Sequence, residues 1–196
     1  MFSVGIVTFE GAEELDFIGP WEVFTMATRA AEGRQVELLA PSLEPVHCAK
    51  GLRVLPDRTL DDAPDYDVLL YPGGRGVRKA VQDRALLDWI AARAERTPWT
   101  TSVCTGSGLL VASGVAAGKR VVTHWTWREE LRQLGPCTVL EGPRYVRDGQ
   151  LVTAAGVSAG IDMSLWLVGQ LASVELARET RAQLEYDPAP PYLADV

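Results

Sequence analysis

Apolar and polar positions along the 196-residue chain follow two periods in turn. Residues 2–8 (FSVGIVT) are nearly all apolar or small, as in a strand covered on both faces. Further strands are read at residues 36–40 (VELLA), 67–71 (DVLLY) and 99–103 (WTTSV). Between them the spacing turns helical. Pro20 suits a first helical turn, and Val23, Phe24 and Ala27 share one face, which predicts a helix from there to about Glu32. Leu86, Leu87, Ile90 and Ala91 mark a second helix, and Leu109, Leu110 and Val111 a third. Residues 125–134 read as helical, and residues 160–184 as a long helix broken near Ser173. Residues 45–60 read as an excursion of short strands, with 46–48 and 53–55 flanking a Lys50-Gly51 turn, and 121–123 as another short strand. Residues 145–147 and 151–154 flank Asp148-Gly149, a strong hairpin signal. Strands alternating with helices predict an α/β fold with a mainly parallel sheet. The length fits one domain over residues 1–196, with a proline-rich tail at 187–196.

Composition narrows the partners. Hydrophobic residues make up 47% and charged residues 23%, which fits a folded globular chain rather than a disordered one. The net charge of −7, with no basic cluster, argues against nucleic acid or an anionic membrane as partner. No apolar run approaches the roughly 20 residues that span a bilayer. Residues 1–8 lack a basic leader, so no signal peptide is expected. The three cysteines are too widely spaced for a disulfide framework or a zinc site, and there are only two histidines, so no metal is expected. A cytoplasmic location with reduced thiols follows as the expectation.

The chemistry concentrates at Ser102-Val103-Cys104-Thr105-Gly106-Ser107-Gly108. A strand pattern meets a helical one with no room for a loop. The corner residue must turn sharply and project at the C-terminal edge of the sheet, the geometry of a nucleophile elbow. Amides at the start of the next helix would favour an anion there and lower the Cys104 pKa. The plainer reading is a buried cysteine acting as a small hydrophobe.

Three other groups could meet it. Asp16, flanked by Leu15, Phe17 and Ile18, follows the first strand, and burial there would suit a general acid or base; its alternative is a helix N-cap. Gly73 and Gly74, in Pro72-Gly73-Gly74-Arg75-Gly76, end the 67–71 strand. With the Thr105 amide, the Gly74 amide would form an oxyanion-type site, unless the segment is a plain turn. His124, in Thr123-His124-Trp125, would form a Cys–His pair or else be structural. Cys48, Cys137 and His47 have no constellation around them and read as structural.

Taken in order, these segments resemble the DJ-1/PfpI superfamily over nearly the whole chain. The resemblance rests on Asp16-Phe17-Ile18-Gly19-Pro20-Trp21-Glu22-Val23-Phe24, Tyr71-Pro72-Gly73-Gly74, Cys104-Thr105-Gly106, Thr123-His124-Trp125 and Gly156-Val157-Ser158-Ala159-Gly160-Ile161-Asp162. Within it the pattern is most similar to the isocyanide (isonitrile) hydratase branch. That resemblance implies a flavodoxin-like three-layer sandwich, a homodimer, no cofactor, and conversion of a small-molecule isocyanide to an N-formamide. It implies attack by Cys104 on the isocyanide carbon, proton exchange at Asp16, support of the thiolate by Thr105, and a pocket lined by Ala155, Gly156 and Val157. The protease-like branch has histidine after the cysteine, where this chain has Thr105, and the DJ-1 branch has glutamate where this chain has Asp16. The sensor half of AraC-type regulators shares the Cys-Thr-Gly and Thr-His-Trp patterns. Those regulators continue into a helix-turn-helix region, for which this length leaves no space. A ligand-binding or redox-sensing module and a glyoxalase-like enzyme therefore stand as alternatives.

Overall fold

The computed structural model describes residues 2–29 and 35–188. Its main sheet has seven strands. In chain order the first elements are β1 (Val4–Val7), α1 (Glu14–Thr28) and β2 (Val36–Ala40), followed by the short strands β3 (Val46–His47), β4 (Arg53–Val54) and β5 (Arg58–Thr59). Then come β6 (Val68–Tyr71), α2 (Val77–Ala80), α3 (Arg84–Ala94), β7 (Trp99–Val103) and α4 (Ser107–Ala112). The chain continues with β8 (Arg120–Val121), α5 (Arg128–Leu134), β9 (Thr138–Val139), β10 (Tyr145–Asp148), β11 (Leu151–Ala154), α6 (Ala159–Leu171) and α7 (Val174–Gln183).

Strands lie in the order β10-β11-β7-β6-β1-β2-β5. Every neighbouring pair is parallel except β10 with β11, the hairpin predicted around Asp148-Gly149. From β1 the chain steps outward to β2; from β6 it steps the other way, to β7 and then β11. Right-handed crossovers therefore put α1 on one face and α3 to α5 on the other. The packing agrees: α1, α6 and α7 contact one another, and α4 contacts both α3 and α5. The direction reverses between β1 and β6, and in such sheets the crevice at the C-terminal strand ends is the natural site. Fully buried Val4, Ile6, Val68, Leu70, Leu109, Leu110 and Met163 fill the layers between sheet and helices. No helix among the described residues is long and apolar enough to cross a membrane.

The structure corrects the start of the first helix. Pro20 lies inside α1, which begins six residues earlier, at Glu14. The residue before a proline normally avoids helical backbone because its Cβ and N–H crowd the ring. Gly19 has no Cβ, and one added there would sit 2.9 Å from Ile161 Cγ1. The Gly19-Pro20 step thus fits within α1 and lets it press against α6. The expected end near Glu32 lies outside the described residues. Two pairings were also unforeseen: β5 extends the main sheet beside β2, and β8 runs parallel to β9 in a separate two-stranded sheet. The predicted break near Ser173 is an N-cap, where the Ser173 side chain accepts from Leu176 N–H.

Candidate active site

Four adjacent strand ends converge. After β7 comes a single 3₁₀ turn, Cys104–Gly106, leading directly into α4. Cys104 has φ of 59°, a left-handed conformation that costs a non-glycine residue on the order of 1–3 kcal/mol. Its surroundings hold it there. The Ser107 and Thr123 hydroxyls both donate to the Cys104 carbonyl, at 3.2 and 3.0 Å. Gly106 allows the turn to lie against β6, since a Cβ on it would fall 2.1 Å from the Tyr71 carbonyl oxygen. The side chain of Cys104 is buried, at 6% exposure.

Asp16 sits in the first turn of α1, inside the helix rather than at its N-cap, and is fully buried. The Gly73 N–H, after β6, donates to Asp16 Oδ2 at 2.9 Å. The Cys104 thiol lies beside the same carboxyl and interacts with it, while Oδ1 has no well-formed hydrogen bond among the described residues. Burial pushes the Asp16 pKa up to about 7, against the pull of the Gly73 amide and the thiol. Such a carboxyl can both take and return a proton near neutral pH.

The thiol overturns one expectation. Burial and the neighbouring Asp16 carboxylate push Cys104 up to about 12, although backbone N–H groups of Thr105 and Val157 both point at the sulphur. The helix that was to depress it, α4, is only six residues long. Cys104 is therefore a thiol at rest.

The proposed oxyanion-type pair is also corrected. The Gly74 amide is occupied: its N–H donates to Thr105 Oγ1 at 3.0 Å, and that hydroxyl donates to the Gly74 carbonyl at 3.3 Å. Gly74 instead supplies the turn, with φ of 114° and backbone atoms of Gly11 and Glu13 where a Cβ would be. Gly73 is equally crowded, with Thr105 N 2.5 Å from a would-be Cβ. The second amide facing the sulphur comes from Val157. This residue has φ of 34°, rare for a β-branched side chain, and nothing in the sequence pattern betrays that turn of the backbone. Thr105→Val should leave the Gly74 amide without its acceptor and cost about 1–3 kcal/mol in urea unfolding, whereas Thr105→Ser should cost little.

His124 does not pair with Cys104. Its Nδ1 lies 2.8 Å from Thr126 Oγ1, and its ring stacks at a tilt 5.8 Å from that of Trp125. It borders a cavity of about 370 Å³ that Ala155, Gly156 and Val157 also line. Cys48 is buried and His47 contacts Glu10, and neither is among the groups that act on Asp16 or Cys104.

The DJ-1/PfpI family model matches residues 2–170. The chain belongs to the DJ-1/PfpI family. It is 40% identical over 190 residues to the isonitrile hydratase of Pseudomonas putida, covering 97% of this chain and 81% of that protein. It is 28% identical to glutathione-independent glyoxalase DJR-1.2 of Caenorhabditis elegans, covering 85% of this chain and 86% of that one. A crystal structure of a ThiJ/PfpI family protein from Pseudomonas syringae superposes with a TM-score of 0.89 at 34% identity, covering 100% of this chain and 79% of that one. Family membership makes the buried cysteine–aspartate pair the candidate centre of the molecule. It does not choose between the reactions of these relatives.

Proposed function

We propose that this chain hydrates isocyanides to N-formamides through a covalent adduct on Cys104. One observation carries the reading: a buried thiol lies against a buried aspartic carboxyl poised near neutrality, with two backbone N–H groups aimed at the sulphur. The similarity to the Pseudomonas putida isonitrile hydratase supports the same reading.

The steps balance without a cofactor. The sulphur adds to the terminal carbon of R–N≡C while the thiol proton passes to Asp16. The Asp16 carboxyl returns that proton to the same carbon, leaving the thioimidate S–CH=N–R. Asp16, again a carboxylate, takes a proton from water as the water oxygen adds to the carbon, and hands that proton to the nitrogen, leaving the hydroxyl proton to pass to the departing sulphur. The C–S bond then breaks, the thiol is restored, and R–NH–CHO leaves. The Thr105 and Val157 amides stabilise the sulphur whenever it carries charge. The cycle needs a group that both accepts and donates, which a carboxyl at about 7 supplies.

Steady-state assay of the purified chain against a panel of small isocyanides, with methylglyoxal as comparison, tests the reading. Turnover of isocyanides and not of methylglyoxal is expected; the reverse result assigns the site to glyoxalase-type chemistry. The homodimer belongs to the same proposal. It is supported by Leu15 and Leu52, both exposed, on segments tied together where Glu14 Oε1 accepts from the Lys50 and Leu52 amides. Sedimentation equilibrium reads that state directly.

A further inference from the structure

The Asp16–Cys104 chemistry uses neither His124 nor the cavity beside it. That cavity has apolar walls from Val122, Leu140 and Pro143, and residues 155–157 line it too, the Val157 N–H pointing at the sulphur. The His124 ring lies directly on Gly156. A Cβ there would stand 2.9 Å from His124 Cδ2 and 3.7 Å from Nε2, so only glycine leaves the ring its place.

Thr126 decides which ring nitrogen bears the proton. A backbone N–H can only donate, and that of Thr126 donates to His124 Nδ1 at 3.4 Å. With Nδ1 accepting from that N–H, and from the Thr126 hydroxyl at 2.8 Å, which can donate as well as accept, the arrangement places the proton of the neutral ring on Nε2. Burial and the nearby Arg128 cation hold the His124 pKa below its ordinary value, which keeps the ring neutral at pH 7. Among the described residues Nε2–H has no acceptor. It is a fixed, uncharged donor on the cavity wall.

We propose that this cavity seats the N-substituent of the substrate, and that His124 Nε2–H donates a hydrogen bond to a carbonyl oxygen on it. The proposal rests on the isocyanide reading of Cys104 and narrows it to isocyanides with a carbonyl group close to the nitrogen. The spacing suits this class. The Val157 amide reaches the sulphur and Gly156 carries the His124 ring, and successive Cα atoms are about 3.8 Å apart. The two groups therefore face consecutive residues of one stretch of backbone, and Val157 both reaches the sulphur and lines the cavity. Charge favours a neutral ester or amide over a carboxylate, because the cations at the rim are already paired, Arg128 with Glu141 and Arg144 with Asp162.

The test compares kcat/KM for methyl isocyanoacetate with that for n-butyl isocyanide in the wild type, His124→Leu and His124→Gln. The readout is the ratio between substrates, which cancels general damage to the site. In His124→Leu the ratio should fall roughly fivefold to tenfold, the worth of one neutral hydrogen bond. In His124→Gln, whose amide N–H stands near the place of Nε2–H, most of the ratio should return. A ratio unchanged in His124→Leu overturns the proposal, as does long-range ¹H–¹⁵N NMR showing the proton on Nδ1. Should the wild type turn over neither isocyanide, the reading of Cys104 fails. Calorimetric binding of N-formylglycine methyl ester against N-butylformamide then decides the cavity alone. Preference for the ester that vanishes in His124→Leu supports the carbonyl subsite, and equal binding overturns it.

Discussion

Cys104→Ala and Cys104→Ser should both fold and both lose isocyanide hydration by at least about 10³-fold, since removing the nucleophile closes the covalent route. Neither change disturbs the elbow. The left-handed backbone is held by the Ser107 and Thr123 hydroxyls on the Cys104 carbonyl, which any residue carries. Alanine or serine at φ of 59° bears the same strain as cysteine. Urea midpoints should thus stay close to that of the parent. Serine fails for a specific reason. Cys104 is already pushed up to about 12 by burial and by Asp16, and a hydroxyl in that place is harder still to ionise. A carboxyl at about 7 takes its proton less readily than the thiol's, and a neutral hydroxyl is a weaker nucleophile than sulphur. Mass spectrometry of the wild type mixed with excess isocyanide should find the thioimidate on Cys104 and none on Cys48 or Cys137. An adduct without turnover would favour the sensing module over the enzyme. Turnover surviving in Cys104→Ala would remove Cys104 from the chemistry.

How far this site was legible in the sequence depends on the kind of information each part needs. The elbow was legible because it is local: a β-rich run, cysteine, and two glycines before a helical run leave the backbone few options. Asp16 was legible as a candidate because β1 and β7 were both readable as buried parallel strands, whose ends share one crevice. Its exact place was not, because Pro20 read as a helix start. Only the contact of Gly19 and Pro20 with α6, a feature of tertiary packing, carries the helix back to Glu14. The Gly74 amide was misassigned for a similar reason. Strand ends locate an amide, but its partner, the Thr105 hydroxyl, comes from another element. Val157 was named as a lining residue, yet its role as donor depends on a left-handed φ that a valine does not advertise. The thiol pKa had the wrong sign because the amides of a turn are visible in sequence, whereas desolvation and a buried carboxylate are not. The short pairings of β5 and of β8 with β9 carry too few residues to show a period.

Asp16→Asn should change three measurements in directions that no capping role would produce. Turnover should fall about 10²–10⁴-fold, because an amide cannot take the thiol proton or return it to carbon. The wild type should lose kcat/KM as pH falls through about 7, where Asp16 protonates, well above the ordinary aspartate range. Any residual activity of the variant should lack that acidic limb. Stability should move the other way. The folded carboxyl is raised from 3.8 to about 7, so between those values the native state binds more protons than the unfolded state, and stability declines as pH rises. Above pH 7 the buried charge costs on the order of 4 kcal/mol. An asparagine oxygen can still accept from Gly73 N–H but carries no charge. Urea unfolding should therefore find Asp16→Asn more stable than the wild type at pH 8, with the gain shrinking toward pH 4. The thiol should respond as well. The Asp16 carboxylate is one of the causes holding Cys104 up, so its removal lowers the thiol pKa while the Thr105 and Val157 amides remain. Iodoacetamide at pH 8 should alkylate Cys104 faster in Asp16→Asn than in the wild type, even as hydration is lost. Slower alkylation together with lower stability at pH 8 would return Asp16 to a structural role in the first turn of α1.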